Sequence, residues 1–304
     1  MMTNERTRPA IWRRWIGLSI LALLAAGGGC SRAAGGAAAA TAEKRYPLHG
    51  EVLAVNAQAK TLTVAHEAIP GFMPAMTMEY TAAAGDLAIA RVGERIKAQL
   101  VEDHGRYRLE DIWPDDRVAT ATIAEAANEL RQDTDARGRG AYREIGESMP
   151  DFALYDQDGR VVQAARFRGR QIMLNFIYTR CPIATMCPAA TLRMMEVQKQ
   201  ARAAGVKNLQ LISISLDPTY DTPGVLQEYA KARGIDTGNF AFLTGPERAI
   251  RDLLTQFGVI AEFKDGLLKH SLATLLINEQ GRIVHRADGS EWTVDEFVER
   301  MHKG

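Results

Sequence analysis

Ile172-Met173-Leu174-Asn175-Phe176-Ile177 runs into Tyr178-Thr179-Arg180-Cys181-Pro182-Ile183-Ala184-Thr185-Met186-Cys187-Pro188. The apolar run reads as a buried strand, and it empties into a loop that holds two cysteines. On one helix, Cys181 and Cys187 would stand about 240° apart around the axis and about 9 Å apart along it. They could then share neither a disulfide nor a metal ion. Pro182 disfavours helix at Cys181, and Pro188 fits the first position of a helix. Cys187 therefore reads as the N-cap and 182–186 as a loop that lets the sulfurs meet. A thiol at a helix N-terminus is expected to ionise more easily. Thiolate is both the nucleophile of disulfide exchange and a soft-metal ligand. The residues alone leave a redox pair, a soft-metal site and a plain structural disulfide open.

Around this loop, strand and helix patterns alternate from Gly146 to the C-terminus. Strands are expected at 171–178, 209–216, 273–278 and 282–285, and helices at 188–203, 223–232, 246–257 and 293–302. This interleaving implies a central sheet with helices on both faces. Gln280-Gly281 reads as a hairpin turn, which makes the sheet mixed. Upstream, 46–112 alternates apolar and polar residues in short runs, such as Gly50–Val55 and Thr61–His66. That pattern predicts a small, OB-like all-β barrel over 46–118. Residues 119–142 read as an Ala-rich helix followed by a charged, Gly-containing linker.

The N-terminus reads as an export signal. Arg6, Arg8, Arg13 and Arg14 precede the apolar stretch Ile16–Ala26, and Gly27-Gly28-Gly29 leads to Cys30. The apolar stretch is too short to span a bilayer. Residues 1–29 are read as a signal peptide and 30–45 as an Ala/Gly tether. Cys30 after small residues resembles a bacterial lipobox, which would make it the acylated N-terminus and a membrane anchor. An ordinary signal peptide with a stray cysteine is the plainer reading. Formal net charge is zero over 304 residues, so no nucleic-acid partner is expected. Export places the dithiol where a disulfide can persist.

A second cluster is His66-Glu67-Ala68-Ile69-Pro70-Gly71-Phe72-Met73-Pro74-Ala75-Met76-Thr77-Met78. On a strand, Met76 and Met78 share a face, and His66 ends the preceding strand. Thioethers with imidazole suit Cu(I) or Ag(I). A Met pair filling a barrel core is the structural alternative.

Several further motifs narrow the reading. Gly146-Glu147-Ser148-Met149-Pro150-Asp151-Phe152, Asp158-Gly159, Phe167-Arg168-Gly169-Arg170 and Asn175 to Pro182 together resemble a redoxin domain of the thioredoxin superfamily. Ile212-Ser213-Ile214-Ser215-Leu216-Asp217-Pro218, Asp221-Thr222-Pro223 and Lys269-His270-Ser271 make 143–304 similar to the Sco/SenC family of copper-handling proteins. The resemblance implies a thioredoxin-like fold and copper ligands Cys181, Cys187 and His270, for Cu(I) and also Cu(II). It implies a shaping role for Asp217 beside them. The family usually has three residues between the cysteines, and this chain has five. His285 and His302 are read as ordinary histidines.

The methionine segment resembles the periplasmic copper-binding module of the CusF type. That resemblance implies ligands His66, Met76 and Met78. Met73 and Phe72 stand near the point where that family has a capping Trp, and Met73 is a candidate third sulfur.

Together the resemblances imply an exported, membrane-anchored lipoprotein of the periplasmic or extracytoplasmic space. It would capture Cu(I) and deliver it to a copper-receiving client, an oxidase subunit, with a thioredoxin-like thiol reductant as a second partner. A thiol–disulfide oxidoreductase is the enzymatic rival. Copper or silver sequestration without a client is the binding-module rival. A peroxidase has no support beyond the redoxin pattern.

Overall fold

Alternating burial along the chain builds the first half of the molecule. The computed structural model describes residues 43–264 and 267–301. The proposed signal peptide 1–29, Cys30, most of the 30–45 tether and His302 lie outside the described residues.

Five strands come first: β1 (Lys44–Asn56), β2 (Thr61–His66), β3 (Met76–Thr81), β4 (Arg95–Asp103) and β5 (Arg106–Pro114). They close in the order β1-β2-β3-β5-β4, back to β1. Leu48, Val52, Leu62, Val64, Leu100 and Leu109 fill the interior from alternate positions, as a period of two requires. Gly50 is where β1 passes from one neighbour to the other. It pairs with His66 of β2 and with Ile96 of β4. A Cβ there would stand 2.6 Å from Val64 Cγ1 and 2.7 Å from the Ala65 carbonyl oxygen, so the close approach needs glycine.

Two helices follow from this half. α1 (Ala84–Ile89) lies between β3 and β4, and α2 (Arg117–Arg137) follows β5. Asp116 caps α2, its Oδ1 accepting from the Ala119 amide at 2.7 Å. α2 occupies most of the 119–142 segment and buries Ile123 and Leu130.

The remaining strands are β6 (Ala153–Asp156), β7 (Val161–Gln163), β8 (Gln171–Ile177), β9 (Leu209–Ser215), β10 (Phe240–Thr244), β11 (Ala261–Lys264), β12 (Leu267–His270), β13 (Ala273–Ile277) and β14 (Ile283–Asp288). With them come α3 (Cys187–Ala203), α4 (Pro223–Ala232), α5 (Glu247–Gln256) and α6 (Val294–Val298). Seven strands form one sheet in the order β14-β13-β8-β9-β10-β6-β7. β8, β9 and β10 run parallel, and the other pairings are antiparallel. The sheet is therefore mixed, as Gln280-Gly281 predicts. All seven residues of β8 are buried, so both faces of the sheet's centre are covered. β11 and β12 form a separate two-stranded hairpin.

Barrel and sheet belong to one compact unit, Glu43–Gly304. α1 packs on α4, and Trp113 of β5 meets Tyr155 of β6 at 5.9 Å between ring centroids. α2 packs on α5, where Gln256 Nε2 donates to the Leu130 carbonyl at 3.3 Å and to Asp133 Oδ2 at 2.9 Å. Arg143 ties Asp133 and Gln256 together. Among the described residues, no helix is long and apolar enough to cross a membrane.

Candidate metal centre

Strand β8 aims the dithiol loop. Its buried backbone leaves the sheet at Tyr178, whose carbonyl accepts from the Cys181 amide at 3.3 Å. The Met186 amide turns back onto the Ile183 carbonyl at 3.0 Å. This brings the chain round to α3, which begins at Cys187 with Pro188 in its first turn. The helix N-cap is Met186 rather than Cys187. The third group arrives from elsewhere: His270 ends β12 and pairs with Ala261 of β11.

The three converge. Cys181 Sγ, Cys187 Sγ and a ring nitrogen of His270 all lie within 4.8 Å of one another. Cys187 Sγ is 3.6 Å from His270 Nε2. His270 Nδ1 lies 3.0 Å from the Ser271 carbonyl, an oxygen that can only accept. A neutral ring assigned from this bond carries its proton on Nδ1 and turns the Nε2 lone pair to the sulfurs. Burial lowers the His270 pKa, with the Ser271 bond opposing, which favours that neutral ligand form. Both cysteines are free thiols, Cys181 half-buried and Cys187 buried.

The expectation of an easily ionised Cys187 is not met. Its thiol is pushed up to about 12, first by desolvation and further by the neighbouring Cys181. Cys187 is fully buried, and loss of hydration outweighs the helix terminus. A proton must leave before this sulfur can bind a metal as thiolate.

Asp217 sits in the turn after β9 and is fully buried. Its Oδ2 accepts from Arg180 Nε at 2.7 Å and its Oδ1 from Thr219 Oγ1 at 3.1 Å. Through this bond it holds Arg180, the residue before Cys181. The guanidinium also lies over the Tyr220 ring, 4.5 Å from its centroid.

Two neighbours escaped the sequence reading as site residues. Asp221 accepts from the Thr179 hydroxyl and amide and, at 2.6 Å, from Ser215 Oγ. Burial raises it to about 6. Tyr178 crosses the His270 ring edge to face, with centroids 5.4 Å apart and planes at 90°. The only sequence signal for it is a polar-tipped aromatic at the exit of an apolar strand.

In the barrel, His66 and Met76 are direct partners across β2 and β3, and Met78 pairs with Val64 on the same face as Met76. His66 is buried; its Nδ1 lies 2.7 Å from the Glu67 carbonyl, and its Nε2 has no hydrogen-bond partner. Met76 is 44% exposed. Met73 and Met78 are half-buried against the barrel core. Phe72 stacks on Tyr46 at 4.0 Å and 9°. His285, in contrast, is bonded to Glu296 Oε1 at 2.7 Å and packs on Phe297, a structural role.

Comparison with known proteins identifies the family. Residues 45–114 match the family model described as copper binding periplasmic protein CusF. The SCO1 protein homologue of Bacillus subtilis is 30% identical over 153 residues, 49% of this chain and 78% of that protein. A solved structure of BsSco, described as a member of the Sco family of cytochrome c oxidase assembly proteins, is 26% identical. That match covers 52% of this chain and 94% of BsSco, with a TM-score of 0.46. ScoI of Bradyrhizobium japonicum, solved with copper bound, is 28% identical; the match covers 52% of this chain and 100% of ScoI, with a TM-score of 0.42. Residues 141–303, more than half of the sequence and the whole of the mixed, thioredoxin-like sheet, match the SCO1/SenC family model, and the chain belongs to that family.

Proposed function

We propose that this chain is an extracytoplasmic copper carrier with two sites. The observation that carries the reading is the convergence of two thiols and one imidazole within 4.8 Å. Two sulfurs and a nitrogen form a soft donor set suited to Cu(I), and able to hold Cu(II). The neutral His270 needs no proton loss to bind. The Cys187 proton leaves as copper arrives, so binding and pH are linked.

The OB-like barrel is the second site, through His66, Met76 and Met78, with Met73 beside them. Its support is the match to a copper-binding family model and a buried imidazole nitrogen without a partner. Thioether and imidazole ligands exchange readily, which suits uptake. The thiol site binds more tightly, which suits delivery. The client, read from family membership, is a copper-receiving subunit of a respiratory oxidase. A thioredoxin-like reductant would restore the dithiol. Acylation of Cys30 would hold the protein at a membrane.

The high pKa of Cys187 argues against that thiol as the attacking group of a disulfide oxidoreductase. The test is copper stoichiometry of the fragment from Glu43 onward, reduced and anaerobic, beside Cys181→Ser/Cys187→Ser. Two equivalents falling to one support the reading. A thiol site that takes no copper while the pair still cycles between dithiol and disulfide overturns it and promotes the oxidoreductase.

A further inference from the structure

His270 is carried by a hairpin that stands apart from the main sheet. β11 and β12 form a two-stranded sheet of their own, in a register that sets Glu262 opposite Lys269 and Ala261 opposite His270. The next pair in that register is Ile260 with Ser271. In an antiparallel ladder a hydrogen-bonded pair exchanges two backbone bonds, each amide donating to the other's carbonyl. At Ile260 and Ser271 only half of that exchange is made. The Ser271 amide donates to the Ile260 carbonyl at 2.9 Å. The Ile260 amide donates instead to the Ser271 hydroxyl, at 3.0 Å. The carbonyl that this amide would otherwise meet is turned to His270 Nδ1, 3.0 Å away. Ser271 also stands at the joint between hairpin and sheet, since the carbonyl of the next residue, Leu272, accepts from the Gly289 amide at 2.8 Å.

We propose that Ser271 is the positioning residue of His270: its hydroxyl takes the ladder place of its own carbonyl, and so frees that carbonyl to hold the imidazole proton on Nδ1. This deepens the copper reading above and rests on it for its purpose. A neutral imidazole has two tautomers, and only the one protonated on Nδ1 leaves the Nε2 lone pair for a metal. Nε2 is the nitrogen that lies 3.6 Å from Cys187 Sγ. A hydrogen bond at the far ring nitrogen fixes both the tautomer and the ring plane of a ligating histidine. A backbone carbonyl serves that purpose only if the ladder does not claim it. The hydroxyl satisfies the Ile260 amide, so the hairpin keeps its closing bonds and the carbonyl is released to the ring.

The arrangement asks for a particular side chain at 271. It must be short enough to reach an amide across the ladder, and it must carry an oxygen that accepts. Serine and threonine meet both conditions, and alanine meets only the first. In Ser271→Ala the Ile260 amide loses its acceptor and competes with His270 Nδ1 for the Ser271 carbonyl. In Ser271→Thr the hydroxyl stays, and position 271 is exposed, so the added methyl group has room. The two substitutions therefore separate the hydroxyl from the size of the residue.

The experiment is imidazole nitrogen NMR on the isotope-labelled, reduced, metal-free protein, with the rings neutral and the His270 signals assigned by their loss in His270→Ala. In parallel, Cu(I) affinity at the thiol site is read by chelator competition at the thiolate-to-copper absorption. The wild type should show His270 protonated on Nδ1. Ser271→Ala should raise the ratio of the other tautomer about fivefold, from the loss of one net hydrogen bond. It should also weaken Cu(I) binding about tenfold. Ser271→Thr should match the wild type in both readings. A merely structural role would lower thermal stability without moving the tautomer ratio. An unmoved ratio in Ser271→Ala overturns the proposal, as does a Ser271→Thr that behaves like the alanine variant. A wild type protonated on Nε2 overturns it with no variant needed, which keeps the test open if Ser271→Ala does not fold. Because the NMR is metal-free, a wild type that binds no copper sinks the copper reading and leaves the tautomer result standing. Copper binding with an unmoved tautomer ratio sinks Ser271 alone.

Discussion

Gly85 of the barrel and Gly224 of α4 meet backbone to backbone: a Cβ on Gly85 would stand 1.9 Å from the Gly224 carbonyl oxygen. The reverse is as tight, since a Cβ on Gly224 would stand 2.1 Å from Asp86 Oδ1. No flexible side chain can give way at the first contact, because the opposing atom is backbone. Gly85→Ala should therefore force α1 away from α4 and cost about 2 kcal/mol or more. Intrinsic helix preference works in the opposite sense, favouring alanine by about 1 kcal/mol. Urea unfolding followed by tryptophan fluorescence checks the sign, Trp113 being at the junction. A variant as stable as the parent would show that the two halves do not depend on this contact.

Asp86 stands at the same contact and makes stability depend on pH. Burial, with Asp111 of β5 and Glu228 of α4 adding like charge, raises it to about 7, and its Oδ1 has no hydrogen-bond partner. Between an ordinary carboxylate value near 4 and about 7, the folded state keeps a proton that the unfolded state has lost. The contribution of Asp86 is thus fullest below pH 4, falls as pH rises from there to about 7, and is level above it. The loss attributable to Asp86 should be about 4 kcal/mol, and Asp86→Asn should remove it. Asp221, raised to about 6, adds a smaller slope of the same sign in both proteins. Parallel pH profiles for parent and variant would exclude Asp86 as the source.

Much of this architecture was legible from the order of residues, and the exceptions have physical causes. The expected helix 223–232 coincides with α4, because Thr222 caps it and Pro223 fits its first turn. β8 and β9 read clearly because strands buried on both faces appear as continuous apolar runs. Phe240–Thr244 and Ala153–Asp156 are strands that the sequence reading lacks. Each is at most five residues long, and short runs carry little periodicity. The last helix is shorter than expected, Val294–Val298, although its Thr293/Glu296 capping box sets the start. At the site, the sulfurs were legible from proline placement. The ionisation of Cys187 was not, because the dipole argument is local while desolvation depends on what the whole fold packs around the sulfur. The placement of Tyr178 and Asp221 beside the site likewise arises from contacts between β8, the turn after β9 and β12, which no local pattern encodes.

Asp217 offers a test of how the loop holds its geometry. Its carboxylate is fully buried and bonded to Arg180, beside Cys181. Asp217→Asn retains the volume and removes the charge that orients the guanidinium. Groups of this kind behind the ligands typically govern tenfold or more in metal affinity. The variant should bind Cu(I) about tenfold more weakly at the thiol site, with the barrel site unchanged. Chelator competition on the parent and variant, each with His66→Phe to silence the barrel, isolates the effect. Equal affinities would mean that Arg180 does not transmit the position of Asp217 to Cys181.

His66 decides between a barrel core and a barrel site. If its imidazole were there for packing, an apolar ring of similar size would lose the Nδ1 contact with the Glu67 carbonyl and gain little. Its Nε2, however, is buried without a partner, and an unpaired buried polar atom is itself a cost of about 1–3 kcal/mol. His66→Phe removes that cost and keeps an aromatic group near Tyr80, whose ring centroid lies 6.1 Å away. The expected outcome is unchanged or slightly raised stability, by up to about 1 kcal/mol, with loss of the barrel's copper equivalent. Stability and function then move in opposite directions, as they do where a side chain is kept for a ligand rather than for the fold. Thermal unfolding with copper stoichiometry of the same samples reads both. A destabilised variant that still binds copper at the barrel would make His66 a core residue and leave the methionines without their nitrogen partner.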